Sequence, residues 1–244
     1  MPLAITDIPW YALANMPQDD VSTGGGAVDL NVRPEITQWA ANNIAQIVSD
    51  GADTRTVTVT GRLASGIEDT EAIVANGTTP VSGSKVWERV MSFVTTTNAS
   101  RIISIKEAAG GTIRATISLN ETSRIIHFRR SSSAAGVVIR YEGGAFRNNH
   151  ATLALTTAAV KLIADPAARI RIGVDTSKGG SSTIANRVTA PGGITFVDDN
   201  VSQAVPTGTL AATENIRVWI EENLPANDPP NKNTFTLELS GAST

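Results

Sequence analysis

Residues 55–62 read RTVTVTGR, and this stretch decides the fold class. Val57 and Val59 alternate with threonines, so one side of the segment is apolar and the other side is polar. Successive side chains of a β-strand point to opposite faces, so this period of two predicts a strand with one buried face. The same alternation recurs in TIRATISL (112–119), RIRIGV (169–174), NIRVWIEE (215–222) and TFTLEL (234–239).

Short turn signals separate these segments and limit the length of each strand. They include Asn76-Gly77, Gly110-Gly111, Gly143-Gly144, Gly179-Gly180 and Pro191-Gly192-Gly193. Many short strands with few helices indicate antiparallel sandwiches or barrels rather than βαβ units. We therefore predict an all-β protein with two antiparallel β-sandwich or jelly-roll-like domains. Asn-Gly is also a strong hairpin signal, so Asn76-Gly77 predicts a hairpin between residues 71–75 and a strand at 81–94.

The boundary between the two domains is expected within SSSAAG (131–136) or GGAFRNNH (143–150). This placement gives a first sandwich over 34–142 and a second over 143–244, each of ordinary size. A single interleaved jelly roll is the alternative, because the strand VVIRY (137–141) suits either half.

One segment, PEITQWAANNIAQIVSDG (34–51), departs from the period of two. Pro34 suits the first turn of a helix, and Asp50-Gly51 suits its end. Apolar residues also recur at helical spacing, so we predict one short helix at about 35–48. These residues are Ile36, Trp39, Ile44 and Ile47.

Residues 1–33 are rich in proline and contain the flexible run TGGG (23–26), which predicts an extended N-terminal arm. The arm is too apolar to be an inert tail, so we expect it to dock on a neighbouring subunit, or alternatively on its own domain. Its start has no basic region followed by an apolar run, so no secretory signal is expected. The apolar candidates for a subunit interface are Ile8, Trp10, Tyr11 and Leu13.

The composition excludes several classes of function. The chain has no cysteine, which excludes disulfides, thiolate metal sites and cysteine nucleophiles. His127 and His150 are the only histidines, so a multi-histidine metal site is excluded. A net charge of −3 gives no field for nucleic acid, and no apolar run is long enough to cross a membrane. We expect no metal and no other cofactor.

The one cluster that suggests phosphate chemistry is SGSK (82–85). A phosphate-binding loop needs a different glycine spacing and a following helix, whereas VWERV (86–90) looks like a strand. The chain has no Gly-x-Ser-x-Gly elbow, and the acidic groups at 68–71, 198–199 and 221–222 suit solvated loops. We therefore predict a non-enzymatic protein without catalytic residues.

The polar faces of the strands are the remaining signal. They carry threonine, serine and arginine with few lysines, a composition that suits subunit contacts. Trp87 and Trp219 are further candidates for the interface, because by alternation Trp219 faces away from Val218 and Ile220. Covering the outer face of its own sandwich is the alternative for Trp219.

Two long stretches resemble structural proteins of tailed bacteriophages. TVTGRLASGIEDTEAIVANGTTPVSGSKVWERVMSFV (58–94) is similar to a strand, turn and aromatic-strand phrase common in these proteins. Residues 152–221, from TLALTTAAVKLIADPAARIRIGVDT through PGGITFVDDN to GTLAATENIRVWIEE, resemble a second sandwich pattern of phage virions.

The resemblance implies a virion building block made in the host cytoplasm. A capsid decoration, or cement, protein is the first hypothesis, with copies of itself and other virion proteins such as the major capsid protein as partners. A neck, collar or tail component is the second. A carbohydrate- or receptor-binding module that stacks sugars on Trp87 or Trp219 is the third. These virion families carry no active-site residues to transfer.

Overall fold

A computed structural model describes residues 2–129, 133, 135–228 and 234–243. The described residues are nearly all in strands and loops, which confirms the all-β prediction. Their helical turns are two single 3₁₀ segments, Ile5–Asp7 and Pro206–Gly208. None of the helical segments in this part of the chain is long and apolar enough to cross a membrane.

The described residues form eighteen strands. In chain order they are β1 (Trp10–Asn15), β2 (Gly24–Asp29), β3 (Val32–Arg33), β4 (Asn43–Ser49), β5 (Thr56–Leu63), β6 (Glu68–Val74), β7 (Val81–Thr95), β8 (Ile103–Glu107), β9 (Ile113–Ile117), β10 (Ser123–Ile125), β11 (Val138–Arg147), β12 (Leu155–Ala164), β13 (Ile170–Val174), β14 (Thr183–Ile184), β15 (Ser202–Ala204), β16 (Thr209–Leu210), β17 (Asn215–Leu224) and β18 (Thr236–Ser243).

The chain forms two compact units, and the sequence of one of them interrupts the sequence of the other. The inserted unit is Leu30–His127. The discontinuous unit combines Met1–Asp29 with Phe128–Thr244. The structure thus divides the chain at 29/30 and 127/128, not at 142/143 as expected. Because the first 29 residues belong to the same unit as the C-terminal half, no contiguous cut along the sequence separates the two.

The inserted unit is a curled sheet of eight strands. Strands β3, β10, β7, β4, β8 and β9 follow one another in this order, and β5 pairs with both β7 and β6. The buried residues of β5 (Val57, Val59) and of β8 (Ile103, Ile105) belong to one hydrophobic core. Alternation explains this arrangement, since every second residue of these two strands points inward.

Strand β7 connects the two sides of this sheet because its halves have different partners. Its first half pairs with β4, where Val86 lies opposite Ile44. Its second half pairs with β5 on one edge and with β10 on the other, and Phe93 lies opposite Val59. Trp87, at the change of partner, is fully buried.

The predicted hairpin at Asn76-Gly77 is wrong. The turn itself is present, since the Thr79 N–H donates to the Asn76 carbonyl at 3.0 Å and Gly77 has φ +55°. The strands that it joins are not partners, because β5 lies between β6 and β7 and pairs with each of them. A local turn signal therefore does not specify which strands become neighbours.

The predicted helix at about 35–48 is also wrong. Asn43–Ser49 is strand β4, and the residues before it are irregular. Ala45, Ile47 and Ser49 are buried at a period of two, while strands β7 and β8 pair with the two edges of β4. Tertiary pairing overrides the helical spacing, and the β-branched residues Ile44 and Val48 suit the strand.

The discontinuous unit is a sandwich of two antiparallel sheets. The larger sheet has the order β13-β17-β11-β1-β2-β14, and the smaller one groups β15, β16 and β18 around β12. Ile172 and Val218 of the larger sheet pack with Val160 and Leu162 of the smaller sheet in one core. The opposite face of the larger sheet carries a second, smaller cluster around Leu13 and Trp219.

Residues 1–33 do not form a separate arm, because residues 10–15 form strand β1 within the larger sheet, so the alternative of docking on its own domain is the correct one. Trp10 and Tyr11 lie opposite Phe146 and Ala145 of β11, and Leu13 lies opposite Val28 of β2. Sequence proximity gave no sign of this pairing, because the partner strand β11 follows the whole inserted unit.

The separate core of the inserted unit leads to the first prediction. A fragment of residues 30–127 is expected to fold alone, because all the residues of its core lie within that range. Trp39 and Trp87 are then shielded from water, so the fragment should emit at short wavelength and lose this emission cooperatively in urea. Emission typical of exposed tryptophan in buffer would contradict an independent core.

The position of β1 leads to the second prediction. A Cβ placed on Gly144 would lie 2.1 Å from the Trp10 ring, so Gly144→Ala should lower the free energy of unfolding by about 1–3 kcal/mol. The matched control is Gly192→Ala, where a Cβ meets nothing within 4 Å. Urea unfolding of both variants checks this. Equal stability of the two would mean that Trp10 does not rest on Gly144.

Candidate functional site

The outer face of strands β6, β5 and β7 is the leading candidate for a contact surface. Val57, Val59 and Ile73 point into the core, so the alternate residues of the same strands point outward. We call this surface the threonine face. It consists of Thr56, Thr58, Thr60, Thr70, Ala72, Val74 and Val94.

The threonine face is uncharged and partly open to solvent, with Thr56, Thr58 and Thr60 half-buried. Val74 is 54% exposed and Val94 is 40% exposed, whereas Val57 and Val59 on the opposite side of β5 are fully buried. The face ends where Arg62 lies opposite Glu68, two residues of opposite sign. Among the described residues β6 pairs with β5 alone, so the face borders an edge of the sheet. Exposed apolar side chains next to a sheet edge are typical of protein contact sites.

Hydrogen bonds from Ser84 to the Glu71 carboxylate hold β6 to the start of β7, and we call this contact the latch. The Glu71 Oε1 accepts hydrogen bonds from the Ser84 N–H at 2.5 Å and from the Ser84 hydroxyl at 2.8 Å. A longer bond of 3.3 Å comes from the Lys85 N–H. A Cβ on Gly83 would lie 2.4 Å from a Glu71 oxygen, so only glycine admits the carboxylate this closely.

Lys85 completes this latch through a second acid. Its ammonium donates to Asp69 and to the Thr70 carbonyl, and the hydrogen bond holds the pKa of Asp69 below its usual value. The SGSK cluster therefore does bind an anion, but the anion is supplied by the chain's own β6. Because the carboxylates of Glu71 and Asp69 contact this cluster, its glycine and lysine have a structural role and need no phosphate-binding helix.

Ion pairs within the inserted unit leave its surface with little net charge. Residues 30–127 contain nine Lys and Arg and nine Asp and Glu. Most of the cations lie beside an acid of the same unit. The pairs are Arg33–Glu35, Arg33–Glu121, Arg55–Asp53, Arg62–Glu88, Lys85–Asp69, Arg114–Glu107 and Arg124–Glu121.

The structure buries four of the six predicted interface residues. Trp87 is fully buried and Trp219 is 1% exposed, so neither can contact another subunit. Tyr11 and Leu13 are buried in the discontinuous unit. Ile8 and Trp10 are half-buried and pack against the core of that unit. The assignments of Tyr11, Leu13, Trp87 and Trp219 are wrong because these side chains are buried within their own units. Both faces of the larger sheet are covered, so Trp219 stays buried although it faces away from one core. The assignments of Ile8 and Trp10 stay predictions.

Buried arginines fasten a long surface segment to the larger sheet of the discontinuous unit. Arg217 of β17 donates through Nε to the Asp175 Oδ2 at 2.7 Å and through Nη1 to the Ser182 carbonyl at 2.9 Å. Its guanidinium lies 6.0 Å from the centre of the Trp219 ring. Asp175 and Ser182 flank a glycine-rich stretch, so Arg217 holds both ends of it.

Arg187 fastens the same segment further along. Its Nη1 donates to the Gln18 carbonyl at 2.9 Å, and its guanidinium lies 5.7 Å from the centre of the Phe128 ring. Its Nη2 lies 2.9 Å from the Glu142 Oε1 without hydrogen-bond alignment, so charge supplies the attraction. Glu142 also accepts from the Phe128 N–H at 2.9 Å, which ties down the start of the second half of this unit.

The remaining polar candidates have structural partners. The His150 Nδ1 accepts the N–H groups of Thr152 and Leu153, which stabilises a turn. Burial, with the nearby Glu221 carboxylate, raises the pKa of Tyr141. In the described part of the chain, no three His, Asp or Glu side chains gather in a way that could hold a metal ion.

Comparisons with known proteins leave the family open. No family model matches the chain, and no curated protein matches it. One solved structure is aligned, the crystal structure of the infectious bursal disease virus VP2 subviral particle. That alignment has 9% identity and a TM-score of 0.16, and it covers 100% of this chain and 68% of that one. A TM-score this low carries no argument about fold or function.

The Arg217 contacts lead to the third prediction. Arg217→Met leaves the Asp175 carboxylate buried without its cation, so the free energy of unfolding should fall by about 3–5 kcal/mol. Lys161→Met is the control, because the Lys161–Glu238 pair is exposed and 3.9 Å long and should contribute less than about 1 kcal/mol. Urea unfolding followed by tryptophan emission measures both. A loss for Arg217→Met no larger than for the control would contradict the fastening role.

Proposed function

We propose that this chain is a non-enzymatic structural protein of a tailed-phage virion, and that it acts as a capsid decoration protein. The observation that carries the proposal is the threonine face, an uncharged and partly exposed sheet surface on a unit most of whose cations pair with its own acids. Such a surface is suited to repeated contacts between proteins, because it presents little charge that a partner must neutralise.

The sequence resemblance supports the same proposal. Residues 58–94, which are similar to a phrase common in tailed-phage structural proteins, contain most of β5, all of β6 and most of β7. These are the strands that build the threonine face. The second similar stretch, 152–221, runs from just before β12 into β17 of the discontinuous unit.

Rigid loops add a further argument for a building block. The long segment after β13 has little regular structure, yet Arg217 and Arg187 fasten it at separate points. A surface that is already ordered loses less conformational entropy when a partner covers it. This property favours stable contacts between neighbouring proteins in a shell.

The sugar-binding alternative is left without the aromatic residues proposed to stack on the sugar. A stacking platform needs an exposed aromatic ring, whereas Trp87 and Trp219 are buried among apolar neighbours. A neck, collar or tail component is the remaining alternative, and it differs from decoration in the number of copies and in location.

The fourth prediction concerns the number of copies of this chain in particles of the virus that carries its gene. Quantitative mass spectrometry should find hundreds of copies of the chain per particle, and electron microscopy should place them on the outer shell. Six or twelve copies at the portal or tail would assign the chain to the neck or tail. Purified, infectious particles that contain none of the chain would overturn the proposed function.

A further inference from the structure

We infer that residues 17–22 form a strap that acid releases, a loop that detaches from the sandwich at low pH while the cores of the discontinuous unit stay folded. The strap reads PQDDVS and connects β1 to β2. Hydrogen bonds and ion pairs hold it in place. The inference goes beyond the proposed function and does not rest on it, because it follows from the contacts of this loop.

The strap takes no part in the hydrophobic cores. None of its residues belongs to a hydrophobic cluster of the described part of the chain, and Val21 is 81% exposed. The N–H groups of Val21 and Ser22 bond within the strap, to the Asp19 Oδ1 at 2.9 and 2.6 Å. Detaching the strap therefore leaves the cores of the unit intact, which is the condition for a local opening rather than global unfolding.

Gln18 makes the inner contacts of the strap. Its Nε2 donates to the Glu142 Oε1 at 3.1 Å, and its Oε1 accepts the Arg129 N–H at 2.8 Å. Its backbone carbonyl accepts a hydrogen bond from the Arg187 Nη1 at 2.9 Å. Glu142 and Arg187 are both buried, so the strap lies over charged groups instead of an apolar surface.

Asp20 makes the outer contact of the strap, a two-pronged ion pair with Arg140 of β11. The Arg140 Nε donates to the Asp20 Oδ1 at 2.9 Å, and its Nη2 donates to the Asp20 Oδ2 at 3.0 Å. Paired hydrogen bonds between charged groups are the strong kind, because both N–H groups align with the carboxylate. The Asp20 side chain is 40% exposed, so protons from the solvent reach it directly.

The charges around this ion pair balance only while the acids are ionised. Three cations and three acids of the described chain interact here: Arg129, Arg140, Arg187, Asp20, Glu142 and Glu222. Asp19 adds a fourth acid, beside Asp20 in the strap. Guanidinium groups stay charged in acid, so protonation of the acids leaves three cations that repel one another. This repulsion adds to the loss of the Asp20–Arg140 attraction.

The direction of the pH effect follows from the two aspartates of the strap. The hydrogen bond from Arg140, together with the charges of Arg140 and Arg187, holds the pKa of Asp20 below its ordinary value. The two backbone N–H groups that Asp19 accepts lower its pKa as well. Such carboxyls stabilise the closed strap above their ordinary pKa of about 3.9, and the contribution is lost as the pH falls through the lower pKa of the closed form. The strap is therefore closed at neutral pH and opens below about pH 4.

The test follows the strap and the cores separately in the full chain. The sequence has no cysteine, so Val21→Cys carries a single fluorescent label on the exposed side of the strap. The anisotropy of the label reports whether the strap is held, and tryptophan emission reports the cores around Trp87 and Trp219. As the pH falls from about 7 to about 2, the anisotropy should drop at a higher pH than the emission changes.

Asp20→Asn tests the ion pair at neutral pH, because it removes the charge with little change of shape. The Arg129 N–H, which bonds to Gln18 of the strap, is freed whenever the strap opens. Its hydrogen exchange by NMR should be about tenfold faster in Asp20→Asn, since hydrogen bonds between charged partners are roughly twice as strong as neutral ones. Asp199→Asn removes an exposed acid outside the strap and is the matched control, with the exchange rate of the natural chain.

The acid-released strap is overturned if anisotropy and emission change at the same pH, or if neither changes down to about pH 2. It is also overturned if Asp20→Asn exchanges the Arg129 N–H no faster than Asp199→Asn does. Tryptophan emission at neutral pH shows whether each variant is folded, and the titration of the labelled chain needs no charge variant. These measurements involve no virus particles, so a negative result leaves the virion proposal untouched.

Discussion

Strand β7 is the constraint on which the inserted unit depends. It has fifteen residues, and its two halves pair with different strands, so one continuous backbone belongs to both sides of the curled sheet. The latch between Glu71 and the Ser84 backbone lies in its first half, whereas the threonine face draws Val94 from its second half. The geometry of the candidate surface and the closure of the core therefore depend on the same strand, with Trp87 at the point where its partners change.

Buried charge has the comparable role in the discontinuous unit. Its larger sheet packs on the smaller sheet through one face and under long loops through the other. Loops cannot bury a continuous apolar surface as a second sheet does, so side chains such as Arg217 satisfy loop carbonyls and carboxylates at the sheet. Breaking such a pair costs more than an exposed pair contributes, because the remaining charge stays out of water. The loops are thus ordered by a few specific contacts.

Local patterns predicted the strands but not their neighbours. The alternation in residues 55–62 correctly specified which side of β5 is buried, because a period of two encodes the two faces of a strand. That the polar strand faces make subunit contacts stays a prediction. Trp87 and Trp219, two of the named candidates, are instead buried, because their large apolar rings fill cores. The helix prediction failed at β4 because Ile44 and Ile47 share a face only at helical spacing, whereas pairing with β7 and β8 makes the segment a strand that buries Ile47 and turns Ile44 to the other face. The arm prediction failed because β1 pairs with residues about 130 positions away, which no local pattern encodes.

The insertion also sets an order of events during synthesis on the ribosome. All strands of the inserted unit emerge before β11, so this unit can complete its core while the rest of the chain is still being made. Strands β1 and β2 leave the ribosome first, yet β1 waits for β11 to be translated before its second edge is paired. The earliest part of the chain is therefore among the last to reach its final place. During that interval the nascent protein exposes Tyr11 and Leu13, so its need for protection by chaperones is greatest while the inserted unit is already folded.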